Sequence, residues 1–443
     1  MRRLLGIVLA VAGVTASAAP IASVSAAPAA FAADAGGQFS VLTYNVAGLP
    51  EPLSSSDPAK NTPVIGARIR DYAVVNVQED FNYHAALYAA DNHPHRTPTS
   101  GGVPFGDGLN TLSAYPYSDF ARVKWDRCNG TDCLTPKGFT FARIRLAQGV
   151  HVDLYNVHAN AGSTDADLAA RRANITQLSQ YVTRTSAGQA VIIMGDTNTR
   201  YTRTGDNIRD LVHPNGLTDA WVELIRGGAE PAAGAPALVC DPQNVTSTCE
   251  VVDKVFYRDN AFVDLTATTY RNDHSAFLDA DGEPLSDHYP HAVGFDWRLA
   301  DHLRMSDQFG GPHGTPFTDV DAIRPGTAVR EVTLSGGARL DRVGITLTDG
   351  TARSHGGTGG TPTALTLQPG EHLTAATLSQ GQRDGRTRIF SVRITTNLGR
   401  TISAGTPTGD AVTFTAPAGW HIAGFTGRSG SEVDKLGVIY TRG

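Results

Sequence analysis

Five short segments carry residue types able to do acid–base and metal chemistry: Thr43-Tyr44-Asn45, Val77-Gln78-Glu79, Asn156-Val157-His158-Ala159-Asn160, Met194-Gly195-Asp196-Thr197-Asn198 and Ser286-Asp287-His288. Each ends or follows a short apolar run. Each polar group is therefore expected at a strand end, where the working groups of α/β sheets gather. A carboxylate, amides, two histidines and two aspartates converging there suit Mg²⁺-assisted hydrolysis of a phosphodiester. Mg²⁺ is a hard ion that keeps several waters and takes one or two carboxylates beside phosphate oxygens. Glu79 is the expected carboxylate ligand and Asn45 a neutral oxygen ligand beside it. The ion would polarise the phosphoryl group and stabilise charge on the leaving oxygen. His288 can orient a water near neutral pH once a carboxylate fixes its tautomer, and Asp253 in Val251-Val252-Asp253-Lys254-Val255-Phe256 is the candidate partner. His158, Asn198 and Asn160 would donate hydrogen bonds to the anionic oxygens as charge builds. Taken singly the residues have plainer uses: an Asp in Gly-Asp-x-Asn forms turns, and Glu79 could cap a following helix. The order and spacing of the set favour chemistry.

Such groups need a sheet to hold them. Phe39–Tyr44, Ala73–Val77, Val152–Val157 and Ala190–Met194 read as strands. Asp165 to Tyr181 reads as a helix, with Ser163 or Asp165 to cap it and Leu168, Ile175, Leu178 and Tyr181 at helical spacing. Strands alternating with helices predict a layered α/β domain over residues 37–299. After Trp297 the texture changes. From Ser306 to Gly443 the chain is rich in Gly and Thr, shows no helical stripe, and carries short β-type runs at Glu331–Leu334, Val343–Thr348, Ile389–Thr395, Val412–Thr415 and Leu436–Thr441. Residues 300–305 read as a linker to this all-β domain, 306–443. The second domain also repeats itself: Gly337 to Asp341 and Gly430 to Asp434 both give Gly-x-x-x-Asp, and Gly-rich loops recur at Gly310–Pro316 and Gly356–Pro362.

In order, Tyr-Asn, Gln-Glu, Val-His-x-Asn, Gly-Asp-x-Asn, Asp-x-Val-Phe and Ser-Asp-His resemble the signature of the endonuclease/exonuclease/phosphatase superfamily. The resemblance implies an α/β four-layer sandwich, two central mixed β-sheets flanked by helices. It also implies Mg²⁺, or another divalent cation, at Glu79 and Asn45 with Asp287 near the metal. Asp196 and Asn198 would face the phosphate and attacking water, His158 the phosphate, and His288 would pair with Asp253. The segment Cys133-Leu-Thr-Pro-Lys137-Gly-Phe-Thr-Phe, which holds one of only five lysines, looks like the Lys-Gly-Phe segment of secreted bacterial sphingomyelinases. That implies a phospholipid substrate met by Lys137 and Asn160, with transient membrane contact. No aromatic membrane-inserting hairpin stands out. A secreted nuclease acting on nucleic acid is the alternative substrate reading.

The second domain has a resemblance of its own. Gly-Gly-x-x-Gly-Thr-Pro-Phe-x-Asp near its start and Gly-Phe-x-Gly-Arg-Ser-Gly-x-x-x-Asp near its end look like a jacalin-type lectin. This implies a C-terminal all-β three-fold β-prism that binds glycans. Its main site would be Gly430 to Asp434 with Gly310 and Gly311, and the internal repeat suggests a second at Gly337 to Asp341 facing Gly356–Gly360. A lectin carrying an inactive catalytic fold is the reading from another class.

The chain has 443 residues, 41% hydrophobic and 18% charged, which excludes disorder over most of its length. Net charge is -6, about -8 once Arg2 and Arg3 leave, which argues against a protein held to nucleic acid by bulk positive charge. Met1-Arg-Arg, an apolar run and Ala30-Phe-Ala32 read as a secretory signal peptide over 1–32, so the protein is expected to be secreted. Four cysteines fit that address. Their close spacings favour Cys128–Cys133 and Cys240–Cys249 as disulfides.

Overall fold

The computed structural model describes residues 35–442, so the expected signal peptide lies outside the described residues. Two six-stranded mixed sheets form the first domain. One runs in the order Val263–Asn272, His291–Leu299, Gly36–Asn45, Val74–Gln78, Asn110–Ser113 and His95–Arg96. The other runs Tyr117–Lys124, Gly138–Ala147, Val150–His158, Val191–Asp196, Asp253–Arg258 and Thr218–Asp219. Each sheet has a single parallel pair at its centre, between Gly36–Asn45 and Val74–Gln78 and between Val150–His158 and Val191–Asp196. These four strands read as near-continuous apolar runs because both of their faces are covered. Inner faces meet through residues such as Val41, Val74, Tyr155, Val255 and Phe295, and the Tyr257 and Phe295 rings lie 5.2 Å apart across the gap.

Helices close the outer faces. Pro58–Arg68 and His84–Ala90 pack Ile65 and Leu87 onto Leu42, Tyr44, Val75 and Val77 of the first sheet. Asp165–Thr185 covers the second with Ile175, Leu178 and Val182, while Leu168 and Tyr181 sit at the margin of the buried stripe. Its cap is Thr164, between the two residues the sequence favoured. Thr164 Oγ1 accepts from Asp167 N–H, and the Asp167 carboxylate accepts from Thr164 N–H in return. The acid three positions on selects Thr164, because only that residue closes a capping box. The helix His84–Ala90 starts with Tyr83 as its N-cap, so Glu79 is not a cap and is free for other work.

The second domain is three repeats of one four-stranded unit. Phe309–Gly310, Val433–Thr441, His421–Ser429 and Thr315–Thr318 form the first. Ala352–Gly356, Leu340–Leu347, Val329–Gly336 and Thr361–Thr366 form the second, and Thr401–Gly405, Arg386–Thr396, Leu373–Arg383 and Asp410–Thr415 the third. The register of each central pair slips at the same place: Arg428/Ser429, Ser335/Gly336 and Ser379/Gln380. At the matching edge stand Gly310, Gly356 and Gly405, all with positive φ, where a Cβ would fall 2.3, 2.1 and 2.0 Å from the carbonyl oxygens of Asp434, Asp341 and Phe390. Only glycine fits such a close backbone approach. Two repeats are legible in the sequence. The third is not, because it carries Arg386 and Phe390 where the others carry Gly and Asp.

Part of the expected linker is a strand. Leu303–Met305 pairs with Ile439 to Thr441, and its buried Leu303 and Met305 alternate with Arg304. The apolar core of the first domain runs on through Leu303, Met305, Val320, Ile323, Ala423 and Ile439. Ion pairs flank this seam: Arg145 with Asp307 at 2.7 Å, and the Lys435 ammonium with the buried Asp119 carboxylate. No helix among the described residues is long and apolar enough to cross a membrane.

Candidate active site

Strand register does the positioning. His158 lies opposite Asp196, and Asp196 opposite Asp253, so three neighbouring strands of one sheet present these side chains in a row. Asn45 and Gln78 are paired at the ends of two strands in the facing sheet, and Glu79 follows at once with φ of 58°. Ser286 to His288 precede the strand His291–Leu299, whose antiparallel pairing of His291 with Thr43 returns them to the same end. Ala47, Glu79 and Asn198 all hold positive φ around this cleft, strain of a kind that clusters at working sites.

His288 Nδ1 is 2.9 Å from Asp253 Oδ2, and its Nε2 is 3.8 Å from Asp196 Oδ2. Asn198 donates from Nδ2 to Asp196 Oδ2 at 3.1 Å and from its backbone N–H to Oδ1 at 2.9 Å. His158 Nε2 lies 3.4 Å from Asp196 Oδ2 and 3.8 Å from Glu79 Oε1. Asn45 turns Nδ2 to Glu79 at 3.1 Å and to Asp196 at 3.4 Å, while its oxygen accepts from Ala47 N–H. Asn45 thus ties Glu79 to Asp196 through its side-chain amide. Asp287 accepts from Ser55 Oγ at 2.6 Å and lines the cleft with Asp253, His288, Asn198 and Arg200. Arg200 escaped the sequence reading, since no motif marks it.

Electrostatics separate the two histidines. Burial holds His158 well below the usual imidazole range, so it is neutral. Burial also acts to lower His288, but the carboxylates of Asp253 and Asp196 outweigh it and raise His288 well above that range. Burial pushes Asp196 up to about 6. Glu79, Asp196 and Asp253 have no Lys or Arg within ion-pair distance among the described residues. Asp253 Oδ1 is buried without a partner. Converging carboxylate oxygens with only His288 to offset their charge suit a hard divalent cation, with Glu79 as the part-exposed anchor.

Lys137 and Asn160 stand one step away. Lys137 pairs with Asp132 at 2.6 Å, and Asn160 accepts from Asn129 N–H and donates to Ala161 O. Both line a small cavity beside Trp125, whose indole N–H holds the His158 carbonyl. The disulfide Cys128–Cys133 closes the loop that carries Asp132, and Cys240–Cys249 closes a second loop at the cleft.

Residues 63–230 match the Endonuclease/Exonuclease/phosphatase family 2, and residues 306–439 match the Jacalin-like lectin domain. The chain joins an endonuclease/exonuclease/phosphatase domain to a jacalin-like lectin domain. It is 42% identical over 278 residues to the sphingomyelinase of Mycobacterium tuberculosis, covering 61% of this chain and 54% of that protein. The chain thus spans about half the length of the sphingomyelinases it matches. Horcolin of Hordeum vulgare is 33% identical over 118 residues, 25% of this chain and 80% of that protein. A beta toxin from Staphylococcus aureus, whose crystal structure holds bound magnesium ions, aligns at 16% identity over 58% of this chain and 99% of its own, with a TM-score of 0.40.

The lectin domain places its expected residues at one end of the prism. Gly430 N–H bonds to Glu432 O at 2.9 Å and Gly337 N–H to Arg339 O at 3.1 Å, so both Gly-x-x-x-Asp loops make the same turn. Gly311 N–H bonds to the Asp434 carbonyl, and the positive φ of Gly310 lets the two loops touch.

Proposed function

We propose that this chain is a secreted, divalent-cation-dependent phosphodiesterase of the sphingomyelinase type, held at its target by glycan contacts of residues 306–443. The His288–Asp253 pair beside Asp196, at the mouth of a cleft that also holds Glu79 and His158, is the observation that carries this reading. Mg²⁺ at Glu79 would neutralise phosphate charge and stabilise the leaving oxygen. Asp253 accepts from His288 Nδ1 and aims Nε2 into the cleft; a cation beside Asp196 and Glu79 would offset the carboxylate charge that raises His288, freeing Nε2 to take the proton of a water that Asp196 and Asn198 hold in line. His158, neutral with its Nε2–H toward the cleft, donates to a phosphoryl oxygen. Phosphorus gains the water oxygen and loses the lipid alcohol, so the headgroup leaves as its phosphate ester. Asp287, Lys137 and Asn160 complete the walls.

Lipid is favoured over nucleic acid by the rim. Leu53, Phe105, Leu134 and Val239 are 65%, 82%, 66% and 61% exposed. Val239 lines the cleft, and the other three stand on separate loops whose chain neighbours bond to or lie near its residues. Leu53 is in the turn before Ser55, which bonds Asp287. Phe105 is on the loop tied through Val103 N–H to Asn82, three residues after Glu79. Leu134 follows Cys133 beside the Lys137 cavity, and Val239 lines the cleft with His288. A polar centre with exposed apolar side chains on neighbouring loops fits a substrate with a charged head and an apolar body. The signal peptide expected over residues 1–32 and the two disulfides support export. Purified mature chain given sphingomyelin liposomes, phosphatidylcholine liposomes and plasmid DNA should release phosphocholine with Mg²⁺ and none with EDTA. DNA cleavage without lipid cleavage would move the substrate to nucleic acid. Inactivity on all three would leave the lectin as the working domain.

A further inference from the structure

Arg200 is the one Lys or Arg that lines the cleft beside His288, and no carboxylate pairs with it among the described residues. It shares that wall with Asn198, Asp253, Asp287, Tyr289 and the disulfide-closed loop at Val239 and Cys240; neither Glu79 nor His158 lines this part of the cleft. The acids nearby are engaged elsewhere. Asp206 is paired with Arg171 at 2.9 Å and with Arg203 at 3.0 Å, and Asp253 with His288 at 2.9 Å. Glu250 turns its carboxylate to Tyr201 N–H and Thr202 Oγ1. Lys137, the other cation near the site, is already paired with Asp132.

The side chain is nevertheless held. Arg200 N–H donates to Asp206 Oδ2 at 2.9 Å, and Nη1 donates to the Glu250 carbonyl. Glu250 follows Cys249, and its own N–H donates to Leu238 O at 2.6 Å, so the base of the Cys240–Cys249 loop steadies the guanidinium. Its Nε and Nη2 bond to no protein group among the described residues. Burial, with Arg203 nearby, lowers the Arg200 pKa from its ordinary value, so the charged form gains from a bound anion. A guanidinium offers phosphate oxygens a rigid fork of charge-assisted bonds, which are the strong kind.

We propose that Arg200 binds the phosphoryl group from the His288 side of the cleft and stabilises the negative charge that hydrolysis adds to it. This rests on the phosphodiesterase reading above. A phosphodiester carries one negative charge. The water oxygen bonds to phosphorus, one water proton passes to His288, and the lipid oxygen leaves with a proton. The phosphate ester that remains has a second ionisable oxygen, with a pKa of about 6. That oxygen comes from the water at His288, on the wall that Arg200 lines. Arg200 therefore meets the transition state and the product more strongly than the substrate. A contact that strengthens along the reaction raises kcat, whereas one equally strong throughout only lowers KM.

The test is steady-state hydrolysis of bis(p-nitrophenyl) phosphate and of sphingomyelin liposomes by the full mature chain with Mg²⁺, with inorganic phosphate as inhibitor. Arg200→Gln should lower kcat on the soluble diester about tenfold or more and raise the phosphate inhibition constant about tenfold. KM should change by less than about threefold, as for a contact made late in the reaction. Arg200→Met, a second neutral variant whose apolar stem packs as the arginine stem does, should give the same inhibition constant. Arg200→Lys, which keeps the charge without the fork, should recover phosphate affinity more than kcat. A residue that only latches the Glu250 loop would behave otherwise: the neutral variants would lose melting temperature, and their remaining activity would keep the wild-type phosphate inhibition constant. That result, or wild-type kcat and phosphate inhibition in both neutral variants, would overturn the inference and leave the phosphodiesterase reading standing. Inactivity of wild type on both substrates would reject the two together.

Discussion

Two clusters of acids sit at the ends of β-strands in this molecule, and they are built in opposite ways. In the first domain Glu79, Asp196 and Asp253 meet histidines and amides but no Lys or Arg. In the second, Glu432 and Asp434 are met by Arg339 and Arg388. Three neighbouring carboxylates that share a single histidine as counter-charge are costly to bury and persist where something else, a cation or a reaction, completes their compensation. Carboxylates closed by guanidinium groups are already compensated, and their work is to hold loops together. Asp119 follows the rule of the second: it is buried and bonded to Lys435 across the seam between domains.

The largest expected effect comes from the unpaired cluster. His288→Ala should lower turnover by about 10²–10⁴-fold, the usual worth of a positioned base, without changing glycan affinity. A rate within a few-fold of wild type would break the comparison at its strongest point. The paired acids should show the reverse pattern. Asp119→Asn leaves Lys435 buried without its partner and should cost about 3–5 kcal/mol in denaturant unfolding, with the specific activity of the folded fraction kept. Loss of activity without loss of stability would show that a paired carboxylate also does chemistry. At the rim, Phe105→Ser removes apolar area that would enter a lipid surface. It should lower activity on sphingomyelin liposomes by about tenfold or more, from the 1.5–3 kcal/mol of a buried Phe, and leave hydrolysis of a soluble phosphodiester unchanged. Equal losses on both substrates would place Phe105 in the chemistry instead.

The smallest effect is a pH dependence. Burial, with Arg143 nearby, pushes His151 down to about 4, and burial pushes His291 down to about 4. Both lie below the unfolded value of about 6.5. Between these limits the unfolded chain binds more protons than the folded one. Stability is therefore complete above about pH 6.5 and falls as pH drops towards 4. Melting temperature should decline from pH 7 to pH 5, and a flat profile would contradict the neutral state of these side chains.

The sequence made the first cluster legible and left most of the second hidden, for physical reasons. Asn45, Glu79, His158 and Asp196 each end or follow a strand buried on both faces, so an apolar run points at them directly. Asp253 and His288 are 35 positions apart, yet antiparallel pairing at one sheet end brings them to 2.9 Å. The set of Leu53, Phe105, Leu134 and Val239 has no sequence signal, because its members lie on unrelated loops without periodicity. The third prism repeat is masked where Arg386 and Phe390 replace Gly and Asp, and its strand Leu373–Arg383 is built largely of small and polar residues. Arg388 and Asp434 meet 46 positions apart, and only the three-fold arrangement of loops brings them together. Leu303–Met305 is too short to show a strand pattern against the linker around it.

The central claim is that the carboxylates of the first domain, met by no Lys or Arg, form a cation-dependent hydrolytic centre anchored at Glu79. The direct measurement is phosphocholine release from sphingomyelin liposomes against Mg²⁺ concentration, by wild type and by Glu79→Gln. Wild type should be silent in EDTA and rise to saturation with Mg²⁺, and Glu79→Gln should stay near the EDTA rate throughout. Release that ignores Mg²⁺, or a Glu79→Gln curve that overlays wild type, would contradict the account.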